Sequence, residues 1–175
     1  MEEWLNRRVS AEEYPAGDMP EYPAHELVQH VAAKGVQAGA LVALVATPVV
    51  ALLRRGRGGG GVYRPVQFWA VTVGLGVSSG MTYKKYVDGV LGPEGVDDRA
   101  YRLSKNAGQL KMDHYSVIGA GIGATGGAIL GGVGLRSVLS GTVTGVALGS
   151  AVYIAEVAYA AYLEQEAAKA AEALK

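Results

Sequence analysis

Hydrophobic positions in this chain gather into four long runs that contain no charged residue: 35–53, 65–83, 115–135 and 137–155. Each is 19 to 21 residues long, about the length a helix needs to cross ~30 Å of hydrocarbon. Polar residues do not recur within them at the 3.6-residue period that gives a soluble helix one wet side. Only scattered Ser, Thr and Gln interrupt them. The pattern predicts an all-α membrane protein with four transmembrane helices. Its rivals are a soluble bundle, or a two-span protein with two further buried apolar segments.

Glycine sharpens this picture. The chain holds 26 glycines in 175 residues, about twice the usual share. Many recur every fourth residue, as Gly35 and Gly39, Gly76 and Gly80, Gly119, Gly123, Gly127 and Gly131, and Gly141, Gly145 and Gly149. Positions four apart share one helix face, so each run presents a stripe of bare backbone. Such a stripe costs about 1 kcal/mol per glycine in an aqueous helix. In a bilayer the backbone must satisfy its own hydrogen bonds and stays helical, and small residues let helices approach closely. These eleven glycines are the expected helix-packing residues, and 115–155 is read as a tightly packed hairpin.

The flanks are polar. Residues 1–34 carry seven carboxylates against Arg7, Arg8 and Lys34, and Pro15, Pro20 and Pro23 favour extended chain. This segment is expected to be a strap anchored on a neighbour by Tyr14 and Tyr22, or else a disordered tail. It is neither Arg-rich nor apolar, so no cleavable presequence is expected. Pro48 is expected to kink the first span. Residues 84–114 form the longest loop, with an expected amphipathic helix over 93–112 whose Val96, Leu103 and Leu110 share a face. Residues 156–175 are Ala-rich and are expected to continue the fourth helix into water.

Formal charge is zero overall and there is no cysteine. Nothing in that balance favours nucleic acid, and thiolate metal sites are excluded. The distribution of charge carries more. Four spans put both termini and the long loop on one side, which is net negative. The short loops carry Arg54, Arg55, Arg57, Arg64 and Arg136 with no acid, and positive loops face the matrix or cytoplasm. Arg54, Arg55, Arg57 and Arg64 are either plain topology determinants or contacts for an anionic lipid such as cardiolipin.

Gly121, Gly123 and Gly126 fit G-x-G-x-x-G, but no acid follows within 20 residues and no βαβ pattern surrounds them, so a dinucleotide site is not expected. Ser140, Thr142, Thr144 and Ser150 have no base beside them and are expected to hydrogen-bond to backbone or across helices. Asp113 and His114 are read as caps or solvated charges. No catalytic residue, cofactor or metal is expected.

Four glycine-striped spans resemble the Tim translocase superfamily of the mitochondrial inner membrane, which includes an accessory membrane subunit of respiratory complex I. Aligned on Asp113, the family signature finds Gly95, Ala120 and Gly121 in place. Asp98, Gln109 and Thr125 stand where it has an aromatic, an arginine and a glycine. The resemblance covers about residues 30–160. It implies a multi-pass protein of the mitochondrial inner membrane with both termini in the intermembrane space. The role that follows is a non-catalytic accessory subunit, with complex I foremost, bound to other membrane subunits and to lipid. A component of a protein-import translocase or channel, of the mitochondrion or the plastid envelope, is the alternative.

Overall fold

The structure is a computed structural model and describes residues 21–53 and 63–173. These residues form five helices and no strand. They are α1 (Pro23–Leu53), α2 (Tyr63–Val87), α3 (Pro93–Lys105), α4 (Ala107–Gly131) and α5 (Leu135–Ala173).

Each uncharged run lies on a helix, with boundaries set by local chemistry. α1 opens at Pro23, well before the first run, because proline suits the first turn; it continues through Pro48 to Leu53. The expected helix over 93–112 is divided. Asn106 leaves helical geometry (φ −84°, ψ 88°), and its side chain accepts from the Gln109 N–H at 3.1 Å, capping α4 in the usual way of a polar N-cap. α4 therefore starts at Ala107, eight residues ahead of the third run. It stops at Gly131, short of the expected 135, because Gly132 takes φ +81°, a conformation that favours glycine. The fourth run and the Ala-rich tail form one unbroken 39-residue helix.

Among the described residues two helices, α1 and α5, are long and apolar enough to cross a membrane, where four were expected. α2 and α4 have the length, but glycine, serine and threonine dilute their apolar content.

The helices pair as two hairpins, α1 with α2 and α4 with α5. The hairpins meet along α1 and α5, where Ala40, Val146 and Ala147 are buried and Val36, Leu44, Ala120 and Val143 pack around them. A second small core forms at the end of the molecule where α1 begins. There Ala24, Leu27, Leu91 and Val96 cluster with Val31 and Tyr86, docking α3 on the first turns of α1. Val96 is buried as its periodicity suggests, whereas Leu110 is exposed on α4.

Candidate functional site

Within each hairpin the contact is backbone on backbone. On α4 and α5, a Cβ added at Gly123 would collide with the Gly141 carbonyl and come within 2.9 Å of Gly145 Cα. A Cβ at Gly119 would likewise meet the Gly145 carbonyl, one at Gly127 the Ser137 carbonyl, and one at Gly131 the Ser137 Oγ at 2.8 Å. From the other wall, Gly141, Gly145 and Gly149 meet the carbonyls of Gly123, Gly119 and Tyr115. On α1 and α2, Gly35 faces Gly74, and a Cβ added at Gly39 would come within 2.5 Å of Ala70 O and 2.7 Å of Val71 Cα. Except at Gly131, where the neighbour is a side chain, the obstacle is facing backbone and no side chain larger than hydrogen fits.

Gly76 and Gly80 are a correction. A Cβ at either meets nothing within 4 Å; both point away from α1. The packing residue of α2 is Gly74, between Ala70 and Ser78 at four-residue spacing. That spacing is visible in the sequence as small-xxx-small once alanine and serine count as small, and a search for glycine pairs alone passes over it. Gly121 and Gly126 also face open space, and both lie mid-helix rather than in a strand–helix turn.

Between the hairpins, polar contacts flank the apolar seam of α1 and α5, one cluster near each end. At the end shared by the start of α1 and the start of α4, Asp113 takes 2.6 Å and 2.7 Å hydrogen bonds from Lys34 Nζ and Gln37 Nε2. His30 Nδ1 lies 3.3 Å from the other carboxylate oxygen. Asp113 is thus a clamp between α1 and α4, not the solvated charge or cap expected. Burial pushes its carboxyl up, but the hydrogen bonds from Lys34 and Gln37 and the charges of Lys34 and His30 outweigh that and hold it below the ordinary range. Burial, aided by Lys34 and opposed by Asp113, holds His30 below its ordinary value. Nearby, Glu156 pairs with Lys111 and accepts from Tyr115 OH at 2.9 Å; these contacts keep its carboxyl low although it is exposed.

At the opposite end Gln67 of α2 is 4 % exposed and fully engaged with α5. Its Nε2 donates to Ser140 O at 3.2 Å and Thr144 Oγ1 at 2.9 Å, and its Oε1 accepts from Ser140 Oγ at 2.6 Å. Tyr63 OH also pairs with Thr144 Oγ1, and Arg64 Nη2 donates to Ser137 Oγ at 3.4 Å. The remaining hydroxyls bond locally or within a hairpin: Thr142 to Val138 O at 2.9 Å, and Ser150 to Ser116 at 2.9 Å. Arg54, Arg55 and Arg57 lie outside the described residues.

Beside these contacts runs an open groove of about 650 Å³. Its walls are α4 (Ile118, Ile122, Gly126, Leu130) and α5 (Leu148, Val152), and Tyr63 and Arg64 stand at one end.

Fold and contacts together define an all-helical protein of two backbone-packed hairpins joined by polar clamps. The chain belongs to the family described as protein of unknown function (DUF1757), whose model matches residues 10–156. No curated protein matches it.

Proposed function

We propose that this chain is a multi-pass membrane protein with a structural role. It would be a non-catalytic accessory subunit of a large mitochondrial inner-membrane assembly, respiratory complex I being the foremost candidate. The observation that carries this reading is the apolar outer surface. Phe68, Trp69, Val73, Val77 and Met81 on α2, and Val117, Ile122, Ile129 and Leu130 on α4, are all at least half exposed. Continuous apolar faces of this extent call for lipid or a partner. The polar groups inside support it too. Gln37 and Gln67 are spent on holding the hairpins together, as interhelical hydrogen bonds commonly are in membranes.

Native electrophoresis of mildly solubilised membranes, followed by mass spectrometry, tests the role. The 18.1 kDa chain should migrate within a far larger complex, together with NADH-oxidising activity. Recovery only as a free monomer contradicts it. The groove favours a second reading, a translocase or channel component. In that case depletion should slow protein import before it slows respiration.

A further inference from the structure

The groove between α4 and α5 has a form that the helix packing alone does not require. One end is marked by Arg64, whose guanidinium gives one N–H to Ser137 Oγ at 3.4 Å, a long bond that leaves the other donors of its fork for a ligand. Arg136, the residue before Ser137 in the chain, is exposed. No carboxylate occurs between Asp113 and Glu156, or between Glu26 and Asp88, so that end has no acid from these helices to offset the charge. Beyond Arg64 and the adjacent Leu130 the groove is lined by Gly126, Ile122 and Leu148 and by glycine backbone.

We propose that this groove seats one acyl chain of an anionic phospholipid, with the phosphate held by Arg64. The inference rests on the membrane reading above and adds a defined site to it. The dimensions agree. One leaflet of hydrocarbon is about 15 Å deep, or roughly ten residues of helix. Counted from Ser137, that depth ends close to Leu148, so a chain anchored at Arg64 runs along the groove to the bilayer centre. Arginine suits the phosphate because its planar fork can give two parallel hydrogen bonds. The glycines serve twice: one face brings the backbones together, and Gly126, off that face, leaves room for the chain.

The geometry supplies a clean plug. A Cβ at Gly126 meets nothing within 4 Å, so Gly126→Leu fills the groove without disturbing the α4–α5 contact. Gly121 is equally open but does not line the groove, so Gly121→Leu is the matched control. The full-length chain is reconstituted in vesicles of equimolar phosphatidylglycerol and phosphatidylcholine, re-extracted in mild detergent and weighed by native mass spectrometry. The wild type and Gly121→Leu should retain phosphatidylglycerol in preference to phosphatidylcholine. Gly126→Leu should lose about tenfold in retained lipid, the scale set by excluding a few buried methylenes. Arg64→Gln should retain a lipid without the preference. Leu148→Trp plugs the same groove from the other wall and replaces Gly126→Leu if circular dichroism shows that variant unfolded. Equal retention by plugged and control variants, a wild type without lipid, or a second copy bound in place of lipid overturns the proposal. Failure of the membrane reading itself looks different: the chain would stay dispersed without detergent.

Discussion

At Gly123 and Gly145 one methyl group decides whether two helices can touch. The neighbour in each case is a backbone carbonyl on the facing helix, which cannot rotate away as a side chain would. Gly123→Ala should therefore push α4 from α5 and cost about 1–3 kcal/mol, the usual range for overpacking. Gly76→Ala meets open space and should be neutral or stabilising, by up to about 1 kcal/mol of helix propensity. Thermal unfolding in detergent of the two variants checks this; equal losses at both positions would contradict the assignment of faces. The sequence reading reached the α4–α5 stripe because glycine there repeats seven times at a four-residue beat. It misassigned α2 because two glycines at the right spacing, Gly76 and Gly80, sit on the outer face, while Gly74 pairs with the unobtrusive Ala70 and Ser78. Spacing fixes which residues share a face, but not which face turns inward.

Helices within a hairpin are held by shape, and the hairpins are held to each other by the small apolar seam around Ala40 and Val146 and by a few polar side chains. Gln67 is the main link between α2 and α5, and Gln67→Leu should cost about 1–2 kcal/mol, since interhelical hydrogen bonds in lipid are worth this much or less and Ser140 loses a partner. It should loosen the two hairpins while leaving each intact, seen as faster cross-hairpin proteolysis with unchanged helical content. The clamp at the other end responds to pH. The Asp113 carboxyl is held low, so its stabilising contribution is present above the ordinary Asp range and is lost as pH falls through its depressed folded value. His30 is also held low. It is favoured neutral in the fold, so protonation costs stability as pH drops below its ordinary 6.5. Both effects have one sign: midpoints of unfolding should fall on acidification, starting near 6.5 from His30 and deepening below 3.8 from Asp113. Asp113→Asn should shrink the deeper phase to what the exposed Glu156 contributes, and an unchanged acid profile in that variant would contradict the clamp. Cross-helix bonding by Ser140 and Thr144 was expected from the sequence, though not its partner Gln67, and the Asp113 clamp was not legible at all. His30, Lys34, Gln37 and Asp113 are up to 83 positions apart, and no periodicity reports a contact made only when two hairpins dock.

Over the whole molecule the charged and polar features sort to two ends. The start of α1, α3, the start of α4 and Glu156 lie together through the Asp113 and Lys111 contacts. Arg64 and the Gly132–Gly134 turn lie together at the other end through Ser137. Apolar helix surface fills the distance between. The all-helical architecture and the pairing of neighbouring runs were readable from the length and placement of the charge-free runs. Their number as membrane spans was less so, because hydropathy and helix length diverge wherever glycine replaces leucine, as in α2 and α4. The chain contains no cysteine, so single cysteines report position without background. Tyr22→Cys, Gly134→Cys and Glu166→Cys, each labelled with a membrane-impermeant maleimide in sealed vesicles, test most directly whether two hairpins cross the bilayer. A bilayer-crossing pair requires positions 22 and 166 to react from one side and position 134 only from the other; labelling of all three from a single side would contradict it.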